Sequence, residues 1–567
     1  MFQMNQIKRL KKIIITILII CTIPVFSVRG ETPKSNYSSK NLAISILKFF
    51  PLRTVIKVNK NTPLFAEVKN NGDTATFWCR IILPDGVQLV KGEEDKSIGT
   101  LKNGEVIDLN WAVKFNHPGE FTLSLIVYNE NYSRQKDITV DATDRYWTET
   151  DFYLSAYNPP YSQHGPPYDD SVLEYYRDAN FHNLMWVRDE DELINKMHEF
   201  GFTYLLDIAD IVGEDNLRGD PYIMPPPIND QQLQDIENAV NRHIDDPLLI
   251  GYYLCDEPFP TGFQNIAKVI KKIREIDPER PCLVNLWPYF PADDETDYEI
   301  GDDAYVETFL QTTKAEILCY DRYIFYNEGY DEQDYYFDQI ERIRKFSLLY
   351  NLPFYNIIQG VGTNGTSVEY LDWRTPDENE MRWLVYTTLT YGAHGIIWFH
   401  WDHEWGVTGN PCGPQVYPQI QRLNAEINKI GPIMVKLKTT LVYHTDRENY
   451  IESIPLLKRM VPPQNSTLIV GFFKDKDGFE NYFMLMNKDY KHEVNGEVKF
   501  DSTLSKLKVF NIETGAWEDV PFQNSLSGSS FNIHLRKGGG KLFYFERKTD
   551  YLPTPVIDIN RIRTLSE

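Results

Sequence analysis

Between residues 146 and 435 one pattern repeats along the chain: a short apolar run, a loop, then apolar positions at helical spacing. The apolar runs predict strands over Phe152–Tyr157, Asn183–Val187, Tyr204–Ile208, Leu249–Leu254, Cys282–Leu286, Ile317–Tyr320, Phe354–Ile358 and Gly395–His400. Helical spacing between them predicts helices that include Asp230–His243, Gly262–Ile276, Asp334–Leu349 and Pro376–Tyr391. Eight strands alternating with helices over about 290 residues fit a (β/α)8 barrel in count and size. A doubly wound open sheet is the alternative, but the Gly-rich phosphate turn of a nucleotide binder does not follow the first strand.

The flanks read differently. Residues 37–145 alternate apolar and polar positions in short runs such as Thr54–Val58 and Phe121–Val127. Turn signals at Asn70-Asn-Gly72 and Pro84-Asp-Gly86 separate them, as in an antiparallel sandwich. Residues 436–547 return to this alternation, with turns at Asp475–Gly478 and Gly538–Gly540, and residues 548–567 read as a polar tail. The expected fold is a multidomain α/β chain, a central (β/α)8 TIM barrel flanked by N-terminal and C-terminal β-sandwiches. The N-terminal sandwich resembles the immunoglobulin-like modules that precede catalytic domains in secreted carbohydrate enzymes.

Residues 1–30 have the order of an export signal. Lys8, Arg9, Lys11 and Lys12 precede the apolar run Ile13–Ile20, and Val28-Arg29-Gly30 offers a cleavage site. The apolar run is short for a bilayer span and is followed by Pro24, so cleavage is expected rather than stable membrane insertion. The expected address is secreted, periplasmic or cell surface. Cleavage would remove those four basic residues and Arg29, taking the formal net charge from −23 to −28. That balance argues against nucleic acid as a partner. The cysteines left (Cys79, Cys255, Cys282, Cys319 and Cys412) are odd in number and widely spaced, which indicates neither a disulfide framework nor a zinc site. Neither metal nor cofactor is expected. Aromatic residues make up 14% of the chain, a weak push toward carbohydrate, because aromatic faces cover the C–H faces of sugar rings.

The most informative segment is Leu249–Pro258, an apolar strand that ends in Asp256 and Glu257 before Pro258 stops the ladder. Strand ends form the active face of a (β/α)8 barrel, so adjacent carboxylates there read as chemistry. Asp256-Glu257-Pro258, at the tip of the fourth strand, resembles the Asn-Glu-Pro motif of the large clan of (β/α)8 glycoside hydrolases. Thr375–Trp383 and Tyr391–Phe399 are similar to the last helix and strand of such enzymes, and the resemblance spans roughly residues 146–435. It implies that Glu257 is the general acid. The adjacent Asp-Glu pair is also similar to that of hexosaminidase families 20 and 123, which implies a substrate-assisted route with Asp256 orienting a 2-acetamido group.

The chain departs from the clan at the seventh strand, where Gln359 stands at the position of a nucleophilic Glu. Asp321, Asp207, Glu369 and Glu404 are the other candidates for a second carboxylate, either as nucleophile or as holder of a water. Asn285, Trp287, Tyr320, Tyr323, Gln359, Trp398, His400 and Trp401 lie at strand ends as candidate sugar contacts. The His400–Glu404 cluster could be read as a metal site, but strand alternation sends His400 and Trp401 to different sides. The expected function is hydrolysis of O-glycosidic bonds in oligo- or polysaccharides. The competing expectation is a non-catalytic glycan-binding protein on a degenerate barrel.

Overall fold

The computed structural model describes residues 44–157, 170–287, 302–327, 331, 333–362, 373–401, 413–446 and 454–548. At its centre is an eight-stranded, all-parallel sheet. In chain order its strands are β1 (Tyr153–Ala156), β2 (Asn183–Val187), β3 (Thr203–Asp207), β4 (Leu249–Asp256), β5 (Cys282–Leu286), β6 (Leu318–Asp321), β7 (Phe354–Gln359) and β8 (Gly395–Phe399). From β2 onward each strand pairs with the next in sequence, and β8 also pairs with β1, with Tyr153 opposite Gly395.

The sheet is nearly closed. Across the remaining seam side chains take the place of a ladder: Leu154 N–H donates to Asn183 Oδ1 at 2.9 Å and Ser155 Oγ to the Asn183 carbonyl at 2.8 Å. The Tyr176 hydroxyl completes the stitch, accepting from Ala156 N–H at 3.0 Å and donating to the Asn183 carbonyl at 2.8 Å.

Alternation along the strands sorts side chains into two layers. Tyr153, Met185, Leu205, Tyr253, Leu283, Cys319, Tyr355, Ile357 and Ile397 fill the barrel interior. Leu154, Leu184, Leu206, Leu254, Leu286, Tyr320, Ile358 and Trp398 pack outward with the helices. The helices form where sequence spacing predicts them. Asp230–His243 starts at an Asn229/Gln232 capping box and Glu378–Thr390 at an Asp377/Glu380 box, each satisfying first-turn N–H groups.

On the N-terminal side, strands within residues 44–143 form a four-stranded and a five-stranded sheet around a core that includes Phe77, Trp111, Phe115 and Phe121. Beyond the barrel, a six-stranded and a four-stranded sheet enclose a second core, with Phe472, Phe483 and Phe543 at its centre. The six-stranded sheet also packs its Ile469, Phe473 and Met484 against the barrel's outer layer, where Trp383 Nε1 donates to the Lys488 carbonyl at 2.9 Å. Among the described residues no helix is long and apolar enough to cross a membrane. The expected export signal, residues 1–30, lies outside the described residues, as do residues 549–567 of the expected tail.

Candidate active site

Three carboxyl side chains converge where β4 and β6 end. Their meeting depends on an irregularity in β4. Tyr253 points into the barrel, and strict alternation would send Cys255 inward and Asp256 outward. The β4–β5 register slips between Tyr253 and Cys255, pairing Cys255 with Val284 and Asp256 with Asn285. Cys255 therefore joins the outer core and Asp256 enters the mouth. A bulge that re-aims a side chain is what brings Asp256 to the site.

Glu257 follows in the left-handed region, with φ of 45°. That conformation costs a non-glycine residue about 1–2 kcal/mol. Its backbone N–H still donates to the Asn285 carbonyl at 2.9 Å, so the turn begins only after the last ladder bond.

Asp256 is held at both oxygens. The Tyr157 hydroxyl donates to Oδ2 at 2.7 Å and Asn285 Nδ2 to Oδ1 at 2.9 Å. Asn285 Nδ2 also donates to Asp321 Oδ1 at 3.2 Å, so one amide bridges the carboxyls of β4 and β6. Glu214 Oε1 accepts the Asp256 backbone N–H at 3.2 Å and fixes the strand end. Beside Glu257 stands Arg218, 3.6 Å from Oε2, with its guanidinium 5.7 Å from the Trp287 ring centre. Arg218 ends a short helix (Glu214–Arg218) that stops at Gly219, where φ is 72°. Its carbonyl accepts from Phe259 N–H at 2.8 Å, tying the loop after β3 to the loop after β4. Gly262 makes this close approach possible, since a Cβ there would lie 2.0 Å from the Leu217 carbonyl oxygen.

Burial in this mouth favours neutral carboxyls. Glu257 is pushed up to about 10 by burial, then by the charges of Asp321 and Asp256, with Arg218 opposing. Asp321 is pushed up to about 7 by burial and by Asp256, against hydrogen bonds from Asn285 and Tyr323. Burial also raises Asp256, while its bonds from Asn285 and Tyr157 favour the charged form. The three groups thus differ in readiness to ionise: Glu257 is the last, and Asp256 has two donors waiting for its charge.

Aromatic rings wall the mouth. Tyr157 meets Trp186 edge-on with centroids 4.4 Å apart, and Tyr323 lies 4.4 Å from Phe399 and 4.8 Å from Trp373. The buried Tyr253 hydroxyl and Asn285 Oδ1 have no partner among the described residues.

Several of the expected sugar contacts turn away from this mouth. Trp398 and Tyr320 sit on the outward parity; Trp398 is fully buried and its Nε1 donates to Asn424 Oδ1 at 2.8 Å. Trp401 packs edge-on against Tyr176 and Phe181, in the same outer layer. Gln359 points inward but its hydrogen-bonding capacity is spent on backbone. Its Oε1 accepts from Ile324 and Phe325 N–H at 3.0 Å each, and its Nε2 donates to the carbonyls of Phe325 and Arg374 at 3.1 and 2.9 Å. Gln359 is a loop anchor, not a hydroxyl reader.

Asp207 caps the helix Ile208–Val212 by accepting from Asp210 N–H at 3.1 Å; burial pushes it up to about 7, and the charges acting on it are those of Asp210 and Glu214. His400 is 2% exposed, with its ring against Phe399. Trp287 lies against the Arg218 guanidinium that stands beside Glu257, and Tyr323 hydrogen-bonds Asp321. Glu369 and Glu404 lie outside the described residues, as does most of the His400–Glu404 cluster. Among the described residues no group of His, Cys, Asp and Glu is arranged to hold a metal.

Sequence reasoning did not single out Tyr157, Glu214, Arg218 or Phe399 for the site. Tyr157 ends a predicted strand and Phe399 lies one residue before the end of another, so both could have been found by parity; Glu214 and Arg218 arrive by a loop that carries no strand signal.

No family model matches the chain, and no curated protein matches it. Among solved structures it is similar to a cycloisomaltooligosaccharide glucanotransferase from Paenibacillus sp., at 9% identity over 88% of this chain and 99% of that one, with a TM-score of 0.43. A second, described as a glycoside hydrolase, is 11% identical over 72% and 98% of the two chains, at a TM-score of 0.41. A β-glucuronidase from Bacteroides uniformis is 12% identical over 87% and 60%, at 0.30. Likeness this loose carries no inference about chemistry, which must come from the side chains themselves.

Proposed function

We propose that the protein is an exported glycoside hydrolase with Glu257 as its general acid. The supporting observation is the carboxyl cluster: Asp256 and Asp321 joined through Asn285, with Glu257 beside them and favoured in its neutral form. Hydrolysis of a glycosidic bond needs a carboxyl that is still protonated at working pH and a negative charge near the anomeric carbon. Glu257 supplies the first. Asp256, held by Tyr157 and Asn285, supplies the second. On a 2-acetamido sugar, Asp256 orients the acetamide, whose own oxygen attacks the anomeric carbon. The unpartnered Asn285 Oδ1 and Tyr253 hydroxyl supply further polar contacts at the floor. In this reading an export signal at 1–30 precedes a sandwich at 37–145, a catalytic barrel at 146–435 and a second sandwich at 436–547.

Asp321 supports a second mechanistic reading. It lies two strands away, across β5, linked to Asp256 through the same amide, and could act as a direct nucleophile or hold a water. Aryl N-acetylhexosaminides and aryl glycosides with a free 2-hydroxyl separate the two. The substrate-assisted route predicts activity on the former, inhibition by a thiazoline analogue and loss in Asp256→Asn. Cleavage of only the free 2-hydroxyl series, lost in Asp321→Asn, assigns the chemistry to Asp321. A protein that binds both series and cleaves neither is a glycan binder, and the hydrolase reading falls.

A further inference from the structure

A cavity of about 680 Å3 lies at the other end of the barrel. Its walls come from four parts of the chain: the N-terminal sandwich around Arg53–Thr62, the segment Tyr146–Glu149 that leads into β1, the loops that enter β6, β7 and β8, and Lys438-Thr439 at the start of the C-terminal sandwich. Four cationic side chains line it, Arg53, Lys57, Lys60 and Lys438. In a chain of formal net charge −23 such a grouping runs against the overall field.

Arg53 Nη1 donates to the carbonyls of Leu52 and Leu349 at 2.6 and 3.2 Å, and Lys57 Nζ lies 4.1 Å from the Tyr146 ring centre. Among the described residues neither these two nor Lys438 makes an ion pair. The two lining carboxylates each have a cationic partner: Glu149 meets His394 Nδ1, in the same wall, at 2.5 Å, with its Oε1 left without a partner among the described residues, and Glu316 meets Arg274 at 3.5 Å; their charges also act on Lys438 and Lys57 respectively, without closing an ion pair. Two hydroxyls in the same wall, Thr54 Oγ1 and Thr439 Oγ1, are buried without a partner among the described residues, on side chains 7% and 5% exposed.

Buried polar groups are nearly always satisfied, and cations drawn out of water, as the half-buried Arg53, Lys57 and Lys438 are, are usually paired. Unpaired cations beside unpaired hydroxyls, in a cavity of ligand size, therefore define a complement. We propose that this cavity is a binding site for a small anionic molecule bearing a phosphate, sulfate or carboxylate group, held by Arg53, Lys57 and Lys438 with Thr54 and Thr439 as neutral donors. The crowding supports it independently: burial, and then Arg53, Lys474 and Lys57, push Lys438 down to about 8, and burial pushes Arg53 down to about 10. An anion relieves both effects.

The test is calorimetric titration of the full chain with inorganic phosphate, sulfate and citrate, at constant ionic strength set with sodium chloride, alongside thermal melting. The expected result is saturable binding of at least one anion with one site per chain. Lys438→Met and Arg53→Met should each weaken that binding about tenfold, the scale of one charge-assisted hydrogen bond. The anion-free Lys438→Met protein should melt higher than wild type, because like charges are separated, so a folding failure would itself count against the site. The preferred anion identifies the oxyanion chemistry. Absence of saturation with all three, or equal binding by wild type and both variants, overturns the proposal.

Discussion

The two ends of the barrel bury charge of opposite sign, and the contrast shows two ways a fold tolerates crowding. At the C-terminal mouth, Asp256, Glu257 and Asp321 lie close together, and protonation relieves the repulsion. At the N-terminal mouth, Arg53, Lys57 and Lys438 share a cavity, and an arginine does not shed its proton at working pH. The first arrangement therefore creates an acid; the second calls for a counterion.

The largest effect that separates the ends is kinetic. Glu257→Gln should retain the fold and lower kcat by about 10²–10⁴-fold, the range lost with a general acid. Lys438→Met should leave turnover within about twofold, since it touches nothing in the carboxyl mouth. Steady-state rates on the best aryl glycoside measure both, and comparable losses would erase the contrast.

Gln359→Leu comes next. It strands the N–H groups of Ile324 and Phe325 and the carbonyls of Phe325 and Arg374, at a cost on the order of 3 kcal/mol. Urea unfolding should show this as a lower midpoint, whereas a sugar-reading role would raise KM and leave the midpoint in place.

A smaller and more diagnostic effect is the pH dependence of stability. Glu257 and Asp321 titrate higher in the fold, at about 10 and about 7, than in the unfolded chain. The folded state therefore binds more protons, and its stability falls as pH rises above the unfolded carboxyl range. Both groups contribute to the fall up to about pH 7, and Glu257 alone from there to about pH 10. Glu257→Gln should melt close to wild type near pH 4 and progressively above it toward pH 9. Parallel melting curves for the two proteins would contradict the buried, neutral Glu257.

The smallest expected change is in Trp398→Phe. It loses the bond to Asn424, about 1 kcal/mol of stability, and should leave kcat and KM unaltered. A raised KM would return Trp398 to the sugar site.

Much of the barrel was legible in the sequence. Every predicted strand matches an observed one to within two residues, because fully buried parallel strands read as continuous apolar runs. That same continuity hid which side each residue faces. In Gly395-Ile-Ile-Trp-Phe399 all five positions are apolar or small, so Trp398 and Phe399 could not be assigned to a layer. The position of Asp256-Glu257 at a strand tip was readable, but not the bulge at Cys255 that turns Asp256 inward, since the shift is set by pairing with β5. Gln359 read as a candidate sugar contact at a strand end; its partners lie in the loops after β6 and β7, beyond any local pattern.

The side-chain seam between β1 and β2 makes the barrel a cylinder with a zip. Every other strand junction is held by a repeating backbone ladder, whereas this one is held by Asn183, Ser155 and Tyr176. The amides of Leu154 and Ala156 are protected from solvent only while those side chains stay in place. Tyr157 follows directly after β1 and carries the hydroxyl that steadies Asp256. Any loosening of the zip is felt at that carboxylate first, so the line along which the barrel opens most easily is also the one that governs its charge.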